Sequence, residues 1–279
     1  MSEVIAGVDL VKSYKLPRQR TPLTAVNDVS LSIDESEIVG LVGESGSGKS
    51  TVSRMLVGIE PATSGTVLFR GKPVSSKQEW RTLRDSVQYV FQDPYGSLAP
   101  HLTVRQTVGD SLDLRGIGTP QDRDRRVAKV LEDVGLRASD ARSYPAVFSG
   151  GQRQRISLAR ALIMEPRLII CDEIASGLDV SVQAQILNLL LGLKERFEVS
   201  YLFVSHDLRV IKYLSDRVLV MRSGSIVESA TADDLFAHPQ HEYTRELIAA
   251  VPDFASDTVQ FAATALPPVS PSARKAGPS

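Results

Sequence analysis

The chain reads as an α/β fold on three observations. Short apolar runs bounded by turn residues recur along it, segments with apolar residues at helical spacing alternate with them in the second half, and a glycine-rich loop joins one such strand to a following helix. The strands expected first are Val4 to Leu10, Ser30 to Ile33, Ile38 to Val42, Thr66 to Phe69 and Val87 to Phe91, so the first third is strand-rich. From Leu102 to about Gly135 the period changes: Val127, Val130, Leu131 and Val134 sit at helical spacing and charges alternate over Asp122 to Lys129, which reads as a helical insert. Then come a helix from about Gln152 to Met164, a strand Leu168 to Cys171, a helix near Val182 to Phe197 and a strand Ser200 to Val204. Val182, Ile186, Leu189, Leu190, Leu193 and Phe197 give the second helix one apolar face for packing on a sheet. Short strands at Arg217 to Met221 and Ser225 to Glu228 and a helix near His241 to Val251 follow, and the tail holding Pro267, Pro268, Pro271 and Pro278 is expected to be disordered.

With 279 residues, 42% hydrophobic and 23% charged, the chain can bury one large core or two modest ones. A net charge of -1 supplies no long-range attraction to nucleic acid, and basic stretches such as Arg123 to Arg126 alternate with acids, so no nucleic-acid partner is expected. The lone Cys171 cannot close an internal disulfide, no Cys/His cluster has metal-ligand spacing, and a reducing, cytoplasmic setting is the expectation. No apolar run approaches the roughly 18 residues of a membrane span, and Met1-Ser2-Glu3 opens with an acid where a secretory signal carries base. Any membrane contact is therefore expected to come through a partner.

Gly43-Glu44-Ser45-Gly46-Ser47-Gly48-Lys49-Ser50 fits the phosphate-loop pattern GxxxxGK[ST], and Thr51 continues it into the expected helix. The preceding Ile38-Val39-Gly40-Leu41-Val42 reads as a buried strand. Glycines let backbone N–H groups turn inward around an anion, and the helix start adds its positive end. Lys49 then supplies a point charge for β and γ phosphates, and the Ser50 hydroxyl is the expected ligand of a bridging Mg²⁺. Ser149-Gly150-Gly151-Gln152 reads as a helix start with Ser149 as N-cap, which is also an anion site. Asp172 and Glu173 end an apolar strand, and a nearby divalent cation gives two adjacent acids a reason to share that place.

In that order, the phosphate loop, Gln92, Phe148 with Ser149 to Arg155, the strand Leu168 to Glu173, Ser176-Gly177-Leu178-Asp179 and His206 resemble the ATP-binding cassette (ABC) ATPases, over about residues 4 to 250. The resemblance implies a RecA-like P-loop ATPase core with an antiparallel β subdomain and an inserted α-helical signature subdomain. Its division here is 1–95 for the first part of the core with the β subdomain, 96–160 for the signature subdomain, 161–240 for the second part, and 241–279 for a C-terminal helix and disordered tail. The implied cofactors are ATP and Mg²⁺. Asp172 would hold the ion through water, with Ser50 and Gln92 as further metal residues, and Glu173 would be the general base for the attacking water. His206 would contact the γ phosphate and Gln92 would sense it. Ser149, Gly150, Gly151, Gln152 and Asp179 would complete the ATP site of a second subunit, and Tyr14 would stack on adenine unless it is simply a half-buried strand residue. His101, His238 and His241 match no motif and are expected in surface loops. The segment Asp172-Glu173-Ile174-Ala175-Ser176-Gly177-Leu178-Asp179 departs from the commoner Asp-Glu-Pro-Thr-Ser-Ala-Leu-Asp, and Gly177 is expected to loosen it.

Three separated segments are similar to the ATPases of oligopeptide, dipeptide and nickel importers: Phe91-Gln92-Asp93-Pro94-Tyr95-Gly96-Ser97-Leu98, Asp179 to Gln185, and His241 to Leu247 with Ala249-Ala250-Val251-Pro252. That branch implies a second ABC ATPase subunit, identical or homologous, two integral membrane permeases docking near Gln92 and the helical insert, and a solute-binding protein indirectly. It places the chain peripherally on the cytoplasmic face of the cell membrane. No cysteine lies in the C-terminal region, so no iron-sulfur cluster is expected. The alternative is an ABC ATPase of a soluble complex, such as the ATPase subunit of carbon-phosphorus lyase. A chromosome-maintenance ATPase needs a very long coiled coil between phosphate loop and signature, where only about a hundred residues without sustained heptads lie.

Overall fold

A computed structural model of the chain describes residues 2–15 and 22–251. Strands β1 (Glu3–Tyr14), β2 (Leu23–Asp34) and β3 (Ile38–Val42) lead into helix α1 (Lys49–Leu56), followed by β4 (Ser64–Phe69), β5 (Lys72–Pro73), α2 (Lys77–Ser86) and β6 (Val87–Val90). Helices α3 (Pro94–Ser97), α4 (Val104–Arg115), α5 (Pro120–Asp133) and α6 (Gly150–Leu162) come next, with 3-10 turns at Ala138–Arg142 and Pro145–Val147 before the last. The remainder alternates: β7 (Leu168–Asp172), α7 (Val180–Phe197), β8 (Ser200–Val204), α8 (Leu208–Leu214), β9 (Arg217–Arg222), β10 (Ser225–Thr231), α9 (Ala232–Ala237) and α10 (Glu242–Ala249).

These elements build two sheets, a four-stranded antiparallel one in the order β2-β1-β4-β5 and a six-stranded one in the order β10-β9-β3-β8-β7-β6. The six-stranded sheet is parallel from β9 to β6, and β10 closes its edge antiparallel. Strands β3, β7 and β8 are buried at every residue, which is why they read as unbroken apolar runs. Their side chains alternate between two cores. Val39, Leu41, Leu168, Ile170, Leu202 and Val204 face a core shared with β1, β2 and α1. Ile38, Ile169, Cys171, Tyr201 and Phe203 face a second core shared with α4 to α8. The ends of β3, β6, β7 and β8 thus open onto a common edge, where open α/β sheets bind ligands.

The α/β class and the central strands agree with expectation, but several elements differ. β1 and β2 run longer than Val4 to Leu10 and Ser30 to Ile33, because they pair with each other from Glu3↔Asp34 to Tyr14↔Leu23 through register shifts. Helix α2 was outside the sequence reading: it buries only Leu83, so it shows no apolar stripe, and a capping box between Ser76 and Glu79 starts it. Helix α6 begins at Gly150, two residues before the expected Gln152, and α7 begins at Val180. The buried face of α7 is Ala184, Ile186, Leu187, Leu190 and Leu193, rotated from the face expected through Val182. His241 is a correction: instead of lying idle in a loop, it caps α10, its Nδ1 accepting the Tyr243 N–H at 3.1 Å. The expected disordered tail lies outside the described residues. Among the described residues no helix is long and apolar enough to cross a membrane.

Candidate functional site

The phosphate-loop sequence is a tight turn from the end of β3 into α1, and two of its glycines are forced. A Cβ on Gly43 (φ 148°) would stand 2.1 Å from the Met221 carbonyl oxygen, and one on Gly48 (φ 106°) would stand 2.4 Å from that of Ala25. The loop is held from behind: Gly224 N donates to Ser47 O at 2.9 Å, and Glu44 N donates to the Tyr243 hydroxyl at 3.0 Å. Gly48 is the N-cap of α1 and brings no side chain to its leading N–H groups, which leaves them for an anion. Glu44, Ser45 and Gly46 are exposed at the rim, Ser47 is buried, and Thr51 is half-buried in the first turn of α1. Lys49 is 4% exposed, and its Nζ donates to Gly43 O at 2.7 Å and Glu44 O at 2.8 Å. Burial pushes its ammonium below the ordinary lysine pKa, opposed by the charges of Glu173, Asp172 and Glu44.

Strand β7 delivers the two carboxylates to the same edge. Asp172 is 2% exposed; its Oδ1 accepts the Ser50 hydroxyl at 2.9 Å, its Oδ2 accepts the Tyr89 hydroxyl at 2.7 Å, and Arg54 Nη2 stands 3.7 Å from Oδ2. Burial first, and the charge of Asp172 next, push the Tyr89 phenol far above its ordinary pKa, so it is a neutral donor. Glu173 adopts a left-handed backbone (φ 51°), an uncommon and costly conformation for a non-glycine residue and one that gathers at working sites. Its amide donates to Val204 O at 2.9 Å, and Ser176 holds its carbonyl with both N–H (3.0 Å) and hydroxyl (2.7 Å). That anchoring turns the side chain between two neighbours: Gln92 Nε2 donates to Glu173 Oε2 at 2.9 Å, and His206 Nδ1 lies 3.5 Å from Oε1. The ends of β6, β7 and β8 thus bring Gln92, Glu173 and His206 together beside Lys49, Ser50 and Asp172.

The remaining candidates lie apart from that cluster. Ser149 caps α6: its Oγ accepts Gln152 N at 3.3 Å while Gln152 Oε1 accepts Ser149 N at 3.0 Å. Gly151 faces α7 closely enough that a Cβ would reach Val182 Cγ1 at 2.5 Å, and a Cβ on Gly150 would touch Leu178 at 3.7 Å. Asp179 caps α7, accepting Val182 N at 2.9 Å. Tyr14 ends β1 opposite Leu23, half-buried, with the Lys12 ammonium 5.0 Å from its ring centre. Sequence reasoning missed Tyr89, Ser53, Arg54 and Tyr243. The only signal for Tyr89 is its place three residues before Gln92 in the same strand run, and Tyr243 stood only in a segment read for its resemblance.

The ABC transporter family profile matches residues 26–176. A Brucella ovis relative named "Putative peptide import ATP-binding protein" is 46% identical over 245 residues, covering 87% of this chain and 77% of its own length. A Brucella abortus relative of the same name is 46% identical over 256 residues, covering 89% and 77%. Among solved structures, cbiO1 of Clostridium perfringens, part of the ABC transporter complex cbiONQ, aligns with a TM-score of 0.76 and 27% identity over 90% of this chain and 97% of its own. The dimeric ATP-binding cassette MJ0796, in a post-hydrolysis state bound to ADP and Pi, aligns with a TM-score of 0.73 and 28% identity over 82% and 98%. With a phosphate loop, paired carboxylates and a signature-type helix start in a fold shared with those cassettes, the chain belongs to the ABC transporter family as one of its ATP-binding cassettes.

Proposed function

We propose that this chain is the ATP-binding and ATP-hydrolysing subunit of an ABC importer that energises uptake of oligopeptides, dipeptides or a related solute such as nickel. One observation carries the chemistry: the Glu173 carboxylate is held between Gln92 and His206, beside a phosphate loop whose lysine and serine point to the same edge. The importer reading is supported by relatives at 46% identity that are named for peptide import.

In this reading the backbone N–H groups of residues 43–50 and the start of α1 bind the phosphates, and Lys49 exchanges its carbonyl partners for phosphate oxygens. Glu173 takes the proton of the attacking water, while Gln92 and His206 orient its two oxygens and read the γ phosphate. The donors present fit a Mg²⁺ ion, since the Ser50 hydroxyl, the Asp172 carboxylate and the Gln92 amide offer hard oxygens, and the buried Asp172 has charge to spare for a cation. When bound, that ion neutralises charge on the β and γ phosphates. Ser149, Gly150, Gly151, Gln152 and Asp179 serve the nucleotide of a second cassette, identical or homologous, and Tyr14 stacks on adenine. The pair works beneath two integral permeases fed by a solute-binding protein, which places the chain peripherally at the cytoplasmic face of the membrane.

Affinity purification of the full chain from a detergent extract tests the assignment. Recovery of two integral permeases together with a second ABC ATPase, and peptide uptake that stops when Glu173 is replaced by Gln in cells, is the expected result. Recovery of soluble enzyme subunits without permeases would instead favour an ATPase of a soluble complex, such as carbon-phosphorus lyase.

A further inference from the structure

We propose that Tyr89 is a positioning residue of the nucleotide and metal site, acting through Asp172. The inference rests on the ATP and Mg²⁺ reading of that site. Four residues on three elements form a ring of hydrogen bonds that closes through the main-chain carbonyl of Ser50. Ser50 on α1 donates to Asp172 Oδ1 at 2.9 Å, Tyr89 on β6 donates to Asp172 Oδ2 at 2.7 Å, the Tyr89 and Ser53 hydroxyls lie 3.0 Å apart, and Ser53 Oγ reaches back to Ser50 O at 3.0 Å. An ionised carboxylate has no hydrogen to give, so the phenolic hydrogen goes to Asp172. The Ser53 hydrogen is then shared between the Tyr89 oxygen and the Ser50 carbonyl. Both inner members are shielded from water, Asp172 at 2% and Ser53 at 0% exposure.

The ring fixes rotation of the carboxylate. With Oδ2 engaged by Tyr89, Oδ1 is aimed at Ser50, the residue whose hydroxyl would help to hold the cation. Without the phenolic hydroxyl, Oδ2 keeps Arg54 at 3.7 Å, a guanidinium whose side chain is 45% exposed and which would no longer be opposed by a fixed donor. Tyr89 itself is braced: Phe91 tilts against its ring at 4.7 Å between centroids, and Gln92 follows in the same run. A phenylalanine at this position would fill the same space beside β7, so packing alone does not call for the hydroxyl. Partners that orient metal-binding carboxylates typically contribute about 10- to 100-fold in metal affinity.

The test compares dissociation constants of a fluorescent ATP analogue for the full chain in EDTA and in saturating Mn²⁺, the ratio being the contribution of the metal at the site. In Tyr89→Phe the ratio is expected to fall at least about tenfold, with the EDTA value unchanged, and the thermal midpoint to drop by the few degrees that losing a donor to a buried carboxylate costs. A ratio equal to that of the unaltered chain overturns the proposal, as does an EDTA affinity that falls as far as the Mn²⁺ affinity, which marks a merely structural role. Should Tyr89→Phe fail to fold, Ser53→Ala decides: a lowered ratio supports the ring, and an unchanged ratio overturns it. If the unaltered chain gains nothing from Mn²⁺, the metal reading of the site falls as well, whereas a gain that Tyr89→Phe keeps in full removes only the positioning role.

Discussion

The edge of the six-stranded sheet and the start of α6 both carry polar, glycine-rich motifs, yet they use their polar groups in opposite ways. At the sheet edge, side chains from far-apart parts of the sequence meet: Ser50 bonds Asp172 across 122 positions and Gln92 bonds Glu173 across 81. At α6, Ser149 and Gln152 satisfy each other across three positions, and Asp179 does the same for its own helix. The first region is a site assembled by the fold, with strain stored at Glu173 and a buried cation at Lys49. The second is a self-sufficient helix start, with Ser149 exposed and the two glycines half-buried against Leu178 and Val182. The proposed pairing of cassettes would use both kinds of surface: one that completes chemistry within the chain and one that is stable before a ligand held by the other chain arrives.

The largest effect expected from breaking the first region is at Glu173. Glu173→Gln keeps an acceptor for Gln92 and removes only the charge, so steady-state ATP hydrolysis should fall at least about a hundredfold while binding of a fluorescent ATP analogue is retained. Near-normal turnover would take the general-base role away from Glu173. Lys49→Ala acts on binding instead. A charged donor to phosphate contributes about 1.5 to 3 kcal/mol, so ATP affinity should weaken about 10- to 100-fold in a direct titration. An unchanged affinity would separate Lys49 from the phosphates and leave it as a brace for the Gly43 and Glu44 carbonyls.

The contrast also explains what could be read before the structure. Strands β3, β7 and β8 were legible because burial on both faces writes an unbroken apolar run into the sequence. The phosphate loop was legible because its backbone geometry restricts residue type at fixed spacing: Gly43 and Gly48 have no room for a Cβ. Helix α2 left no apolar periodicity, since its start depends on the Ser76 and Glu79 caps more than on burial. The buried face of α7 was misplaced by part of a turn because Val182, apolar in sequence, is drawn to Gly151 rather than to the sheet. Tyr89 could not be read at all as a partner of Asp172, 83 positions away, because nothing in a strand tyrosine announces which carboxylate its hydroxyl will meet.

The smallest effect discriminates most sharply between the two regions. Ser149→Ala removes the acceptor for Gln152 N and should lower the unfolding free energy by about 1 kcal/mol, seen in a denaturant titration, while ATP affinity of the chain alone stays unchanged because no phosphate-loop group is touched. Asparagine caps helices about as well as serine, so Ser149→Asn should restore the lost stability. It places a larger amide where the serine hydroxyl would meet the nucleotide of a second cassette, so ATP hydrolysis at concentrations that favour pairing should remain slow in Ser149→Asn despite its recovered fold. If stability and hydrolysis return together, Ser149 is a helix cap and nothing more, and the start of α6 loses its claim on a partner's ATP.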